Sequence, residues 1–340
     1  MPKIAILGGS GYTAAELIRI LLRHPQAQIV AVVSRQESKD GTPLVAELHP
    51  SLTRRIDLRC EPFNVDQLAA RGVECVFSCM PHGVSMETLP AVLERGMRAV
   101  DLSADYRLRD PNIYARWYGE SHADLVHLTQ AVYGLPELYG DELPTSQLVA
   151  NPGCYPQTAI LGLAPLVSGQ IVALRDIIVD SKSGVSGAGR TPKLATHFPE
   201  CNESVSAYSV GTHRHTPEID QALSDVAGQK VEVIFTPHLI PMDRGIFTTI
   251  YAQPLRQLTE SQLLDLYREY YRNAAFVRVV KHLPGSKDCA GTNYCDMTVR
   301  VVGGRVLVLA CLDNLIRGAS GVAVQNFNRM YGFDESAGLA

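Results

Sequence analysis

Asn151-Pro152-Gly153-Cys154-Tyr155-Pro156 is the stretch of this sequence richest in potential chemistry. An apolar, helix-like run follows over 157–167, and Pro156 suits the first turn of a helix. Cys154 is therefore expected at a helix N-terminus, where orphan N–H groups and the helix dipole favour a thiolate. Such a thiolate can attack a carbonyl carbon. The other cysteines, Cys60, Cys75, Cys79, Cys201, Cys289, Cys295 and Cys311, read as reduced, small hydrophobes. No Cys-x-x-Cys pair and no zinc spacing occurs, so no metal is expected.

Two further segments could serve that cysteine. In Gly211-Thr212-His213-Arg214-His215-Thr216-Pro217-Glu218-Ile219, Thr216 is expected to cap a helix starting at Pro217. His213 and His215 just before it are candidates for acid or base, one of the pair serving only to orient the site. Gly8-Gly9-Ser10-Gly11-Tyr12-Thr13-Ala14 follows an N-terminal strand and opens a helix. Its spacing, G-x-x-G-x-x-A, departs from G-x-G-x-x-G, yet it still lets backbone N–H groups approach a pyrophosphate at a helix N-terminus. The second strand ends at Ser34-Arg35 instead of an acidic residue. A hydroxyl and a guanidinium suit a 2′-phosphate, so NADP(H) is the expected cofactor.

A cysteine nucleophile beside a nicotinamide has few uses: hydride transfer links a thioester to an aldehyde. A phosphate leaving group would need cations and backbone donors. Arg107, in Asp101-Leu102-Ser103-Ala104-Asp105-Tyr106-Arg107, could supply the first. The glycines of Ser183-Gly184-Val185-Ser186-Gly187-Ala188-Gly189-Arg190 could form an anion-binding nest.

These groups need a scaffold of two domains, as the 340-residue length suggests. Strand-like runs at 3–7, 29–33, 73–78 and 98–102 alternate with helix-like runs at 14–24 and 86–95, which predicts a parallel sheet flanked by helices. Longer strands are expected at 176–180, 231–236, 245–253, 276–281, 295–302 and 305–312, the last two forming a hairpin with Gly303-Gly304 at its turn. The predicted fold class is α/β: an N-terminal Rossmann-like parallel-sheet domain plus an α+β catalytic and dimerisation domain with a mixed sheet. The expected division assigns residues 1–150 and 313–340 to NADP binding, and residues 151–312 to catalysis and oligomerisation. Hydrophobic residues at 46% and charged residues at 19% supply a sizeable core. A net charge of −4 advertises no nucleic-acid surface. No run reaches membrane-spanning length and no signal peptide is read, so a cytoplasmic location is expected.

GGSGYTAAEL, DLSADYRL, NPGCYP, SGVSGAGR, GTHRHTPEI, PMDRGIF and DNLIRGASG together resemble the N-acetyl-gamma-glutamyl-phosphate reductases of arginine biosynthesis, and more distantly the aspartate-semialdehyde dehydrogenases. The resemblance spans nearly the whole chain, and NPGCYP with HRHTPEI is its most specific part. It implies an acyl phosphate substrate, Cys154 as nucleophile and His213 as acid/base, with His215 a lesser candidate. It also implies Gly8, Gly11, Tyr12 and Thr13 at the cofactor phosphates, Ser186, Gly187 and Asn314 at the cofactor, Arg107 with Ser183 near the substrate phosphate, and a homodimer or homotetramer. Two other readings share these residues: a reductase of another acyl phosphate, acetylaminoadipyl or aspartyl, and a nucleotide-sensing protein of the same fold. The second has no need of an activated thiol, and fold never fixes function.

Overall fold

The computed structural model describes residues 1–36 and 41–339. Met1–Pro152 and the stretch from Ala319 onward form one compact unit, and Gly153–Gly318 forms the other. The first unit contains β1 (Lys3–Leu7), β2 (Gln28–Val33), β3 (Cys75–Ser78), β4 (Arg98–Asp101), β5 (Val132–Tyr133) and β6 (Leu148–Ala150). Among the described residues they lie in the order β2-β1-β3-β4-β6-β5, every pair parallel. Ile4, Ala5, Ile6 and Leu7 are all fully buried. A continuous apolar run of this kind belongs to a parallel strand covered on both faces. The chain leaves β1 in one direction for β2 and returns to its other side as β3. That reversal leaves a crevice beyond the carboxyl ends of β1 and β3, where sheets of this kind bind ligands.

DLSADYRL builds much of the first unit's polar scaffold. Asp105 is fully buried. It accepts hydrogen bonds from the Gly83 N–H at 2.9 Å, the Met86 N–H at 3.0 Å and the Tyr114 hydroxyl at 2.9 Å. It thereby caps the helix Ser85–Glu94, whose N-cap residue Val84 offers no side-chain bond. Burial, helped by nearby Asp105, pushes the Asp101 carboxyl up to about 6. The C-terminal helix Gly321–Tyr331 packs in this unit, with the Ser320 hydroxyl donating to the Thr13 carbonyl at 2.8 Å.

The second unit contains β7 (Ile177–Ser183), β8 (Ser206–Ala207), β9 (Val233–Leu239), β10 (Ile246–Ala252), β11 (Val277–Val279), β12 (Cys295–Val302) and β13 (Arg305–Leu312). Their order is β11-β12-β13-β10-β7-β9-β8 among the described residues. The sheet is mixed: β7 and β9 are parallel, as are β11 and β12, while β10 runs antiparallel to both neighbours. Val302 pairs with Arg305. Gly303 and Gly304 between them have φ of 56° and 75°, the conformation a two-residue hairpin turn demands.

The helix Cys154–Ser168 lies at the centre of this unit, with every residue from Tyr155 to Val167 buried. It begins three residues before the apolar run marked in the sequence. Pro165 sits inside it and has no N–H to give the Leu161 carbonyl. The Tyr271 hydroxyl donates to that carbonyl at 2.5 Å. Tyr267 does the same for Gly162, also at 2.5 Å. Among the described residues no helix is long and apolar enough to cross a membrane.

Tyr271→Phe removes the donor from a carbonyl that Pro165 has already deprived of its helical partner. We expect a loss of about 1–3 kcal/mol in urea unfolding, the cost of a buried acceptor left unmet. A midpoint unchanged from the parent protein would contradict this account of Pro165.

Candidate functional site

Cys154 is the first residue of its helix, and Gly153, in extended conformation, is the N-cap. Gly153 has no side chain of its own to cap this end. The Gly153 N–H donates to the Glu218 carboxylate at 2.7 Å, and Glu218 is only 1% exposed. Glu218 stands in the first turn of the helix Thr216–Ala227, directly after the two histidines. Thr216 is the first residue of that helix and its N-cap is His215, so the expected Thr216 cap is corrected. The turn closes through backbone instead, the Thr216 N–H donating to the His213 carbonyl at 3.0 Å.

His213 stands among rings. The centroids of His215, Phe235, Tyr208 and Tyr155 lie 4.7, 5.3, 5.5 and 5.7 Å from its own, all edge-on. Burial, with the Arg214 charge adding to it, pulls His213 down to about 4. The ring is therefore neutral at physiological pH. Its Nδ1 accepts the His215 backbone N–H at 3.1 Å. The Tyr208 hydroxyl donates to the Tyr155 hydroxyl at 3.0 Å, and that hydroxyl donates to the His238 carbonyl at 3.2 Å. Burial raises both phenols, Tyr208 to about 12, and the neighbouring Cys154 sulfur raises them further. Cys154, Tyr155, Tyr208, His213 and His215 thus form one cluster.

Ser183, Ser186, Gly187 and Asn314 form another in the same unit. Asn314, 2% exposed, accepts the Gly245 N–H at 2.7 Å and donates to the Ser186 hydroxyl at 3.0 Å. Ser186 donates to the Asp243 carbonyl at 2.6 Å and Ser183 to the Gly184 carbonyl at 3.0 Å. A Cβ on Gly187 would lie 3.1 Å from the Ser183 hydroxyl and 3.6 Å from the Asn314 amide. The chain reaches Cys154 again at Gly318, where an added Cβ would come within 2.8 Å of the cysteine Cβ.

In the first unit, Gly8 turns the chain out of β1 with φ of +76°. A Cβ there would strike the Cys79 carbonyl oxygen at 2.6 Å, just past β3. Gly11 is the N-cap of the helix Tyr12–Leu21, and no side chain caps it. Tyr12 and Thr13 open that helix, two residues earlier than the sequence pattern marked. An uncapped helix N-terminus at the sheet's switch point fits a dinucleotide pyrophosphate. Ser34 is buried and its hydroxyl accepts the Gln36 N–H at 3.2 Å, while Arg35 is exposed. Arg107 is buried, its Nε donating to the Asn151 carbonyl at 2.8 Å and an Nη to the Leu102 carbonyl at 3.1 Å.

Residues 3–146 match the family described as the NAD binding domain of semialdehyde dehydrogenase. Residues 154–314 match its dimerisation domain. The N-acetyl-gamma-glutamyl-phosphate reductase of Rhodopirellula baltica is 47% identical over 342 residues, covering 99% of this chain and 98% of the relative. The chain belongs to the N-acetyl-gamma-glutamyl-phosphate reductase family. The reductase of Desulforudis audaxviator is likewise 47% identical over 343 residues, covering 100% of this chain and 98% of the relative. The fold also matches aspartate semialdehyde dehydrogenase II of Vibrio cholerae complexed with ASA, with a TM-score of 0.73 at 15% identity, covering 97% of this chain and 98% of that one. Aspartate semialdehyde dehydrogenase of Candida albicans with NADP gives a TM-score of 0.73 at 13% identity and the same coverage.

Several residues of this reductase-family chain carry little or no signal in the sequence. Glu218 was visible only as part of HRHTPEI, and Tyr155 only as a neighbour of the cysteine. Tyr208 carries no local signal. His49, buried, hydrogen-bonds the Gly9 carbonyl at 2.7 Å from 40 residues away. Arg317, fully buried, donates from Nε to the Gln157 side-chain oxygen at 3.0 Å.

The nucleotide turn yields a direct test. Gly8→Ala forces a Cβ into a left-handed position, costing about 1–2 kcal/mol, and into the Cys79 carbonyl as well. NADPH binding, followed by its fluorescence on titration, should weaken roughly tenfold or more. Affinity within twofold of the parent would show that this turn does not carry the cofactor.

Proposed function

We propose that this chain reduces N-acetyl-gamma-glutamyl phosphate to N-acetylglutamate 5-semialdehyde with release of phosphate, using NADPH, as a cytoplasmic step of arginine biosynthesis. One observation carries the reading: a chain 47% identical end to end to such reductases keeps Cys154 at a helix N-terminus in one cluster with His213. Two functional units serve it, an NADP-binding one of residues 1–150 and 313–340 and a catalytic and oligomerisation one of residues 151–312.

The helix N-terminus holds Cys154 as a thiolate. Its sulfur attacks the acyl carbon, and the carbon–oxygen bond to phosphate breaks, leaving a thioester on Cys154. NADPH, when bound, supplies the hydride that takes this carbon to the aldehyde level. His213 meets the oxygen on which charge develops, by proton transfer or hydrogen bond, with His215 holding its position. Gly8, Gly11, Tyr12 and Thr13 bind the cofactor phosphates. Ser34 and Arg35 take the 2′-phosphate, and Ser186, Gly187 and Asn314 line the nicotinamide side. Arg107 and Ser183 orient groups around the substrate phosphate.

The chain works as a homo-oligomer in this reading. Tyr251 and Ile234 both sit in register with Ile178 across three strands of the second sheet. They are 37%, 56% and 41% exposed in that order. An exposed apolar row on a sheet face is a surface that a second copy would cover.

Oxidation of N-acetylglutamate 5-semialdehyde with NADP and phosphate is the decisive assay, run beside the acetylaminoadipyl and aspartyl semialdehydes. One methylene is worth roughly 1–3 kcal/mol, so the acetylaminoadipyl compound should react more weakly but measurably. The aspartyl compound carries an uncompensated amine and should be poorest. Highest efficiency with the aspartyl compound would overturn the assignment.

Cys154→Ser should abolish turnover while NADPH still binds, because a hydroxyl stays protonated where a thiol does not. Arg35→Ala should weaken NADPH more than NADH, since an arginine–phosphate contact is charge-assisted. Equal losses for the two cofactors would remove Arg35 from the 2′-phosphate site.

A further inference from the structure

We propose that His49 orients the cofactor-phosphate turn: by holding the Gly9 carbonyl it keeps that oxygen off the pyrophosphate and directs the Ser10 N–H toward it. The inference rests on the reading of residues 8–13 as the NADPH phosphate site and names a further residue on which that site depends.

His49 is buried, and its Nε2 lies 2.7 Å from the Gly9 carbonyl oxygen. A carbonyl can only accept, so Nε2 carries the proton and donates. The neighbouring carbonyls of the turn are met locally by backbone. The Gly11 N–H donates to the Gly8 carbonyl at 3.4 Å, and the Ala15 N–H donates to the Gly11 carbonyl at 3.1 Å. Gly9 itself is clamped from two sides. Its N–H donates to the Val33 carbonyl at 2.9 Å. It packs so closely on β2 that an added Cβ would lie 2.4 Å from a Val32 methyl carbon. Its carbonyl is held by a side chain 40 positions further along the chain.

A phosphate site needs N–H groups facing the anion and carbonyl oxygens facing away. In a planar trans peptide the Gly9 C=O and the Ser10 N–H point in opposite directions. Rotating this one peptide would present an oxygen to the pyrophosphate and withdraw a donor. Glycine makes such a rotation easy, and the imidazole opposes it. The loop that carries His49 is anchored without this bond. The Val45 N–H donates to the Leu58 carbonyl at 2.9 Å and the Cys60 N–H to the Pro43 carbonyl at 2.8 Å. At the loop's base the Glu61 N–H donates to the Val32 carbonyl at 3.0 Å, and the Ser34 N–H donates to the Glu61 carbonyl at 3.1 Å. Val45 and Leu52 are fully buried. Removing the imidazole therefore leaves the loop in place and releases the Gly9 peptide.

His49→Phe keeps a ring and loses the donor, whereas His49→Gln carries an amide N–H of similar reach to Nε2. Fluorescence titration of the full-length protein should show NADPH bound about tenfold more weakly by the phenylalanine variant, the worth of one neutral hydrogen bond. The glutamine variant should recover to within about threefold of the wild type. NADH should lose the same factor as NADPH, since both carry the pyrophosphate. Adenosine 2′-monophosphate has no 5′-phosphate, so its own affinity, read by competition with NADPH, should stay within about twofold in all three proteins. A damaged fold would weaken it along with NADPH. An NADPH affinity unchanged in the phenylalanine variant, a glutamine variant no better than phenylalanine, or an equal loss for adenosine 2′-monophosphate each overturns the proposal. A wild type that binds no NADPH would overturn the cofactor reading itself, and the proposal with it, and is recognised without either variant.

Discussion

The bond from the Gly153 N–H to the Glu218 carboxylate fixes the second unit's chemistry in place. Helix starts leave backbone donors unmet, and a buried one is costly unless something accepts it. Here the acceptor is a carboxylate 1% exposed, in the first turn of another helix, where the dipole also favours its charge. One side chain therefore satisfies the N-cap of the cysteine's helix and ties it to the start of the helix that follows the histidines. Moving either helix end would strand a charge or an amide in the interior.

A second constraint comes from the turn after β13. Asp313 is fully buried and accepts the Leu315 N–H at 2.9 Å, the Ile316 N–H at 3.1 Å and the Gly291 N–H at 2.9 Å. Held this way, the chain presents Asn314 to Gly245 and Ser186, then passes through a π-helical turn at Ile316–Ser320. Such turns often mark functional sites, because they aim backbone where a regular helix would not. Gly318 within it lies so close to Cys154 that a side chain would displace the cysteine. Asn314 and Cys154 are thereby set by one rigid segment, although 160 residues of sequence separate them.

Local signals in the sequence predict the structure best. β12 and β13 have the bounds that their alternating pattern and Gly-Gly turn predict. Cys154 at a helix start followed from Pro156, though the helix begins earlier, because glycine and proline residues before it hide the boundary. Thr216 misled: a hydroxyl before a proline looks like a cap, but His215 holds that place. What stayed illegible depends on tertiary partners. Two-residue strands such as β5 and β8 carry too few residues for a pattern. Tyr208, His49 and Tyr271 act through bonds to residues 53, 40 and 110 positions away, and nothing nearby in sequence marks them.

The ring of aromatic groups around His213 bears on the cysteine as much as on the histidine. An imidazolium beside the sulfur would stabilise the thiolate strongly, but a thiolate made very stable is a weaker nucleophile. It would also hold its proton close to an anion that must form, attack and be released unchanged in each turn of the proposed reaction. A neutral ring avoids both. In the proposed reaction the thiolate relies on the helix N-terminus, a field that is fixed and carries no proton to lose. Tyr155 and Tyr208 face the ring. A carboxylate at that position would draw a proton onto the ring and pair it, turning a donor of one hydrogen bond into a charged partner of the sulfur. The two phenols, each raised by burial, bring no negative charge of their own to the ring, and Nδ1 stays bound to the chain.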